Sequence, residues 1–253
     1  MTTAFSPAEL AAFERDGYVV ARGLTATADC GALRAIAQRD LTLAVPPLEY
    51  EADVKYPGAP VSRDAPGGHT ARRLLQATTR DPAFARWATS APMAARLQQL
   101  LGPRVELSQV HHNCVMTKNP SHSSVTHWHR DIRYWAFTRE ELVSVWLALG
   151  RERPENGCLL VLPGSHRMDF RDDRLDAAKF LRPDLPENQP LLKTQVAVEL
   201  DAGDVLFFHC RLLHAAGDNR TAETKFSAVF TYHAADNPPL PGTRSAALPD
   251  LPL

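Results

Sequence analysis

His129-Arg130-Asp131 sets an imidazole and a carboxylate two residues apart, and a further imidazole, His214, ends the later run from Gly203 to His214. Two histidines and one carboxylate can occupy one face of an octahedral metal and leave the opposite face open, the ligand set of a non-haem Fe(II) oxygenase. Alternate residues of a strand point the same way, so both members of His-x-Asp can reach one ion if the segment is extended. The same periodicity puts His127 on that face, and periodicity alone does not choose among residues 127, 129 and 131. His209 stands in the same run as His214 and competes with it for the distal position.

Positioning such a set requires short strands, and the chain supplies them from Val105 onward. Apolar, β-branched runs occur at Val110 to Met116, Val143 to Leu149, Leu159 to Leu162, Val196 to Leu200, Val205 to Phe208 and Phe226 to Tyr232. Turn chemistry separates them: Asn156-Gly157, Pro163-Gly164-Ser165 and Ala202-Gly203-Asp204. Many short strands with long connections predict a mainly β fold with flanking helices, a double-sheet jelly roll able to enclose a metal and a small ligand.

Before it, Ser6-Pro7-Ala8-Glu9 is a capping box with proline at the first helical position, opening a helix that ends near Asp16-Gly17. Tyr18 to Val20 reads as a strand, Thr25 or Thr27 as the cap of a helix through Ala37, and Ala91 to Leu101 as a helix stopped by Gly102-Pro103. The Pro- and Gly-rich stretch 44–69 is a candidate lid. The charged, proline-broken stretch 168–192 is expected to be an insertion between strands.

The 253 residues are expected to form a single domain: a mostly helical part over 1–104, a jelly-roll core over 105–235 and a tail over 236–253. Lys and Arg total 28 against 29 Asp and Glu, a formal net charge of −1 with no basic block, which argues against nucleic acid and membrane partners. No signal peptide and no long apolar run are evident, so a soluble, cytoplasmic protein is expected. Cys30, Cys114, Cys158 and Cys210 are scattered without Cys-x-x-Cys spacing and read as reduced, buried thiols.

A series of motifs in order makes the chemistry more specific. Trp128-His129-Arg130-Asp131 with Tyr134, Trp146-Leu147-Ala148-Leu149, Asn156-Gly157-Cys158-Leu159, Pro163-Gly164-Ser165-His166 and Gly203-Asp204 leading to His214 together resemble the phytanoyl-CoA dioxygenase family over roughly Val110 to His233. The resemblance implies a double-stranded β-helix, Fe(II), 2-oxoglutarate as co-substrate and O2. It assigns His129, Asp131 and His214 as metal ligands, because the family's distal ligand precedes a turn matched here by Ala215-Ala216-Gly217-Asp218-Asn219; His209 is then structural. His127 remains a candidate neighbour of the metal or substrate.

In that family an arginine beyond the distal histidine holds the far carboxylate of 2-oxoglutarate. Here Lys225 occupies its position and keeps the charge without the planar fork, while Ala216 stands where a hydroxyl is usual. Lys118 and Arg73 match other basic positions that hold the co-substrate in relatives, Arg220 lies at the wrong offset, and Trp146 matches an aromatic beside it. The implied reaction hydroxylates or desaturates a C–H bond of a small organic substrate with succinate and CO2 as co-products; the carboxylate at Asp131 disfavours halogenation. His112 and Arg133 are candidate substrate contacts, with Lys55 and Arg63 in the candidate lid, and basic residues near the mouth suit an anionic substrate. Two other readings stay open: a metal-binding jelly roll that does not turn over 2-oxoglutarate, and a cupin-type metalloenzyme using His127, His129 and His214.

Overall fold

The computed structural model describes residues 4–54, 56–170 and 172–253. Its strands are β1 (Tyr18–Ala21), β2 (Leu48–Tyr50), β3 (Ala71–Leu75), β4 (Val105–Lys118), β5 (Thr126–His129), β6 (Leu142–Ala148), β7 (Leu159–Val161), β8 (Val196–Val198), β9 (Val205–His209), β10 (His214–Ala216), β11 (Lys225–Ala234) and β12 (Leu251–Pro252). They form two antiparallel sheets. The larger runs β1-β9-β6-β11-β4-β3-β2, with β12 added beside β4, and the smaller runs β5-β10-β7-β8. This is the jelly-roll sandwich expected, although the sheets do not close into a continuously hydrogen-bonded barrel.

β6 and β11 are buried at every residue; β6 is apolar but for Ser144, whereas β11 alternates Phe226, Ala228, Phe230 and Tyr232 with Lys225, Ser227, Thr231 and His233. They are buried throughout because both faces of the large sheet are covered. Val143, Val145, Leu147, Phe207, Phe230 and Tyr232 share one core cluster with the helices, whereas Trp146, Leu206, Phe208 and Val229 share another with Leu159, Val161 and Val198 of the small sheet. Fully burying a side chain such as Leu147 or Phe207 contributes roughly 1.5–3 kcal/mol, so this double cover is the main source of the sheet's order.

The helices are α1 (Pro7–Asp16), α2 (Thr27–Thr42), α3 (Ala77–Arg80), α4 (Pro82–Ala88), α5 (Ala91–Leu101) and the short α6 (Gln189–Leu192). α1 has the expected capping box and ends at Gly17, whose φ of 83° is the left-handed value that glycine accepts without a Cβ penalty. α2 differs from expectation. Its N-cap is Ala26, without a side-chain cap, because the Thr25 hydroxyl instead accepts a hydrogen bond from Trp87 Nε1 at 2.9 Å. Among the described residues no helix is long and apolar enough to cross a membrane.

Candidate active site

β5 and β10 are neighbours in the small sheet, and their register sets His129 directly opposite His214. The ring centroids lie 4.3 Å apart. Each ring is locked by a backbone acceptor: His129 Nδ1 donates to His127 O at 2.8 Å and His214 Nδ1 donates to Leu212 O at 3.0 Å. With each Nδ1 committed to a carbonyl, Nε2 is the ring nitrogen of both residues that is left to ligate a metal.

Asp131 does not lie on β5. The strand ends at His129, and Asp131 opens a 3-10 turn over Asp131–Tyr134 that is docked by Ile132 N donating to Cys210 O at 3.0 Å. The turn, rather than strand alternation, brings Asp131 Oδ1 to 3.4 Å from His214 Nε2 and 3.7 Å from His129 Nε2. Asp131 Oδ2 accepts from Ser144 Oγ at 2.7 Å and lies 3.3 Å from His112 Nδ1, while the buried Oδ1 has no hydrogen-bond partner. An orphaned, buried carboxylate oxygen facing two imidazole Nε2 atoms fits a divalent cation.

Electrostatics separate the two imidazoles: burial lowers that of His214, but Asp131 outweighs burial and raises it above its ordinary value. Burial pushes the His129 imidazole well below its ordinary range, reinforced by His214. Burial also opposes ionisation of Asp131, but His112 and His214 outweigh it and hold the carboxyl well below the usual carboxylate range. The pocket therefore presents an anionic oxygen and a neutral His129 to whatever it binds.

The triad opens into a cavity of about 630 Å³, counted to its open mouth, between the two sheets. Lys118 and Lys225, both buried, line its other end and are direct cross-strand partners of β4 and β11. Like charges so placed repel, and one carboxylate relieves them. Glu152, fully buried, accepts from Lys225 Nζ at 3.0 Å, Ser227 Oγ at 2.6 Å and Trp146 Nε1 at 2.9 Å. Among the described residues Lys118 has no carboxylate partner; its Nζ donates to the backbone carbonyls of Ser124 and Gly217. Burial, reinforced by Lys225 and Arg72, pulls its ammonium down to about 7. Gly157, at φ 72°, lies against this lysine, since a Cβ there would stand 2.9 Å from Lys118 Cδ.

The other residues singled out by sequence fall unevenly. Trp146 lines the cavity, with Lys225 Nζ 5.0 Å from its ring centre. Arg73 also lines it but lies 3.4 Å from Glu49, and the neighbouring Arg72 is the more buried of the two, donating to Ser124 Oγ at 2.7 Å and Thr126 Oγ1 at 3.1 Å. His112 lines the cavity, and its Nδ1 lies 3.3 Å from Asp131 Oδ2. Arg133 is not among the cavity-lining residues; its guanidinium stacks 4.0 Å from the Phe180 ring centre.

His127 contributes its carbonyl to His129 and is not grouped with the triad, so the set His127, His129 and His214 is not assembled. His209 sits at the end of β9, where Nδ1 accepts from Arg211 N at 3.1 Å and its ring lies 5.4 Å from that of His166. In the candidate lid, Tyr56 reaches the cavity and its hydroxyl meets Tyr134 Oη at 3.0 Å, whereas Arg63 pairs with Asp53 at 2.8 Å; Lys55 lies outside the described residues. Sequence reasoning missed Glu152, Arg72 and Ser144. Glu152 sits in Arg151-Glu152-Arg153, which reads as a solvated charge run, and only the three-dimensional pairing reveals its role.

A jelly-roll sandwich with two imidazoles and one carboxylate converging between its sheets defines the class of 2-oxoglutarate-dependent, non-haem iron dioxygenases, and comparison with known proteins agrees. The chain belongs to the phytanoyl-CoA dioxygenase family, whose model matches residues 13–227. It is 27% identical over 248 residues to the ectoine dioxygenase of Sphingopyxis alaskensis, covering 92% of this chain and 77% of that protein. It is 26% identical over 243 residues to human peroxisomal phytanoyl-CoA dioxygenase, covering 88% and 67%. Among solved structures, the epimerase SnoN in complex with Fe3+, α-ketoglutarate and nogalamycin RO superimposes with a TM-score of 0.75 at 25% identity, covering 98% of this chain and 96% of that one.

Proposed function

We propose that this chain oxidises a C–H bond of a small organic substrate, by hydroxylation or desaturation, consuming 2-oxoglutarate and O2 and releasing succinate and CO2, with Fe(II) held by His129, Asp131 and His214. The observation that carries the proposal is the partnerless Asp131 Oδ1, buried and facing two carbonyl-locked imidazoles. Bound there, iron supplies the redox chemistry that couples O2 reduction to decarboxylation of the oxo acid. The whole of 1–253 is read as one oxygenase domain.

The protein's part is binding and exclusion of water. Of the two opposed buried lysines only Lys225 is paired with a carboxylate, that of Glu152, so an anion is wanted at Lys118, and the far carboxylate of 2-oxoglutarate supplies it. Lys225, drawn back by Glu152, contributes field rather than the main contact, and Arg72 adds donors at the same wall. Trp146 packs along the co-substrate. An anionic substrate suits a cavity lined by Arg72, Arg73, Lys118 and Lys225.

The test is an anaerobic Fe(II) titration with 2-oxoglutarate, followed by the metal-to-ligand charge-transfer absorption band. The band is expected in the native chain and absent in Asp131→Ala. Protonated Lys118 is the binding form, and its ammonium loses its proton near pH 7 when no anion is present. Affinity should therefore weaken as pH rises above about 7, by up to tenfold per unit, and Lys118→Met should flatten that dependence. Absence of the band at every pH would favour a metal-binding protein that does not use 2-oxoglutarate.

A further inference from the structure

We propose that Glu106, His233 and Asp250 form a second metal site, for a divalent cation of the Zn2+ class, which clips the C-terminal strand to the large sheet. Among the described residues these three form a group, apart from the triad, whose donor atoms all lie within 4.8 Å of one another. Three strands bring them together. His233 on β11 is the direct cross-strand partner of Glu106 on β4, and β12 adds to β4 through Leu251 opposite Leu107 and Pro252 opposite Glu106, setting Asp250 at the start of the added strand.

The histidine is prepared as a ligand. His233 is fully buried, and its Nδ1 donates to Ala234 O at 2.9 Å, the same backbone lock that holds His129 and His214 in the triad. Such a lock commits Nδ1 and leaves Nε2 as the ring nitrogen that faces both carboxylates. That Nε2 lies 3.1 Å from Asp250 Oδ2 and 4.0 Å from Glu106 Oε2, yet it is buried without a hydrogen bond of normal geometry, and so is Asp250 Oδ1. Ligands at zinc-like bond lengths in a tetrahedral arrangement stand about 3.3 Å apart. The observed separations bracket that value.

Access and chemistry fit the same reading. The imidazole forms the floor, while the side chains of Asp250 and Glu106 are 12% and 34% exposed at the rim, so a cation can enter from solvent. One nitrogen and two carboxylate oxygens suit Zn2+ with water completing the shell. The site is independent of the triad, since none of its three residues is a triad ligand.

The test uses the full chain, stripped with chelator and titrated with Zn2+ by equilibrium dialysis. The native chain should bind two equivalents and Asp131→Ala should keep one. In the Asp131→Ala background, Asp250→Asn or Glu106→Gln, both at the rim and checked for an unchanged circular dichroism spectrum, should weaken that remaining equivalent at least tenfold. Zn2+ should also protect the C-terminal residues of Asp131→Ala from carboxypeptidase, and Asp250→Asn should remove the protection. If Asp131→Ala binds no Zn2+, or binds it with an affinity that neither rim variant changes, His233 and Asp250 are an ion pair only and the proposal is overturned.

Discussion

At the scale of single residues, the difference between a charge and a charge with a partner decides what the cavity can bind. Lys225 occupies the position from which a relative's arginine would reach the co-substrate, but Glu152 holds it at 3.0 Å with both side chains nearly or fully buried. Breaking a buried pair by removing one member costs about 3–5 kcal/mol, because the other is left uncompensated. Lys225→Met and Glu152→Gln should each destabilise the chain on that order in urea unfolding, while the double variant should cost clearly less than their sum. Additivity within about 0.5 kcal/mol would show that the two groups do not depend on one another. The residue types at 129, 131, 214, 118 and 225 were legible in the sequence. Their partners were not, because Glu152 reaches Lys225 across 73 positions of chain.

At the scale of elements, β4, β6, β9 and β11 of the large sheet were legible because burial on both faces leaves an apolar run in β6 and an alternating apolar set, Phe226, Ala228, Phe230 and Tyr232, in β11. The short strands β5 and β10 were not, since THWH and HAA lack the β-branched or leucine run that marks the equally short β7 and β8, and β2 and β3 hide within polar sequence. The departure at Asp131 has the same origin: a strand that stops at His129 cannot be told from one that continues, and the docking of Ile132 on Cys210 that stops it is a tertiary contact. The stretch 44–69 reads as a candidate lid from its Pro and Gly content; the structure places β2 within it and ties it to the turn after β5 by the Tyr56 to Tyr134 hydroxyl contact of 3.0 Å. One such hydrogen bond contributes about 0.5–1.5 kcal/mol. Tyr56→Phe should therefore raise the rate of limited proteolysis within 57–67 by up to about tenfold. An unchanged rate would mean that the segment is held by its other contacts, such as Arg72 beneath the Tyr56 ring at 4.8 Å.

At the scale of the molecule, a chain of net charge −1 concentrates Arg72, Arg73, Lys118 and Lys225 around one cavity, offset by Glu49, Glu51 and Glu152. The two sheets must be packed for this cavity to exist, and the triad exists only when β5, β10 and the turn after β5 are docked together. Ligands that need this assembly bind the folded chain and not the unfolded one, so they stabilise it by mass action. At a concentration one hundred times its dissociation constant a ligand contributes about 2.7 kcal/mol, which for a chain of this size raises Tm by roughly 5–10 °C. Under anaerobic conditions Fe(II) should give such a shift. 2-Oxoglutarate should add to it when iron is present and do little alone, because one end of the dicarboxylate has no partner until the triad is metallated. Asp131→Ala should remove the contribution of 2-oxoglutarate while leaving Lys118 and Lys225 in place. Full stabilisation by 2-oxoglutarate in metal-free protein would instead mean that the lysine wall binds the anion without the triad, and that the two ends of the cavity act independently.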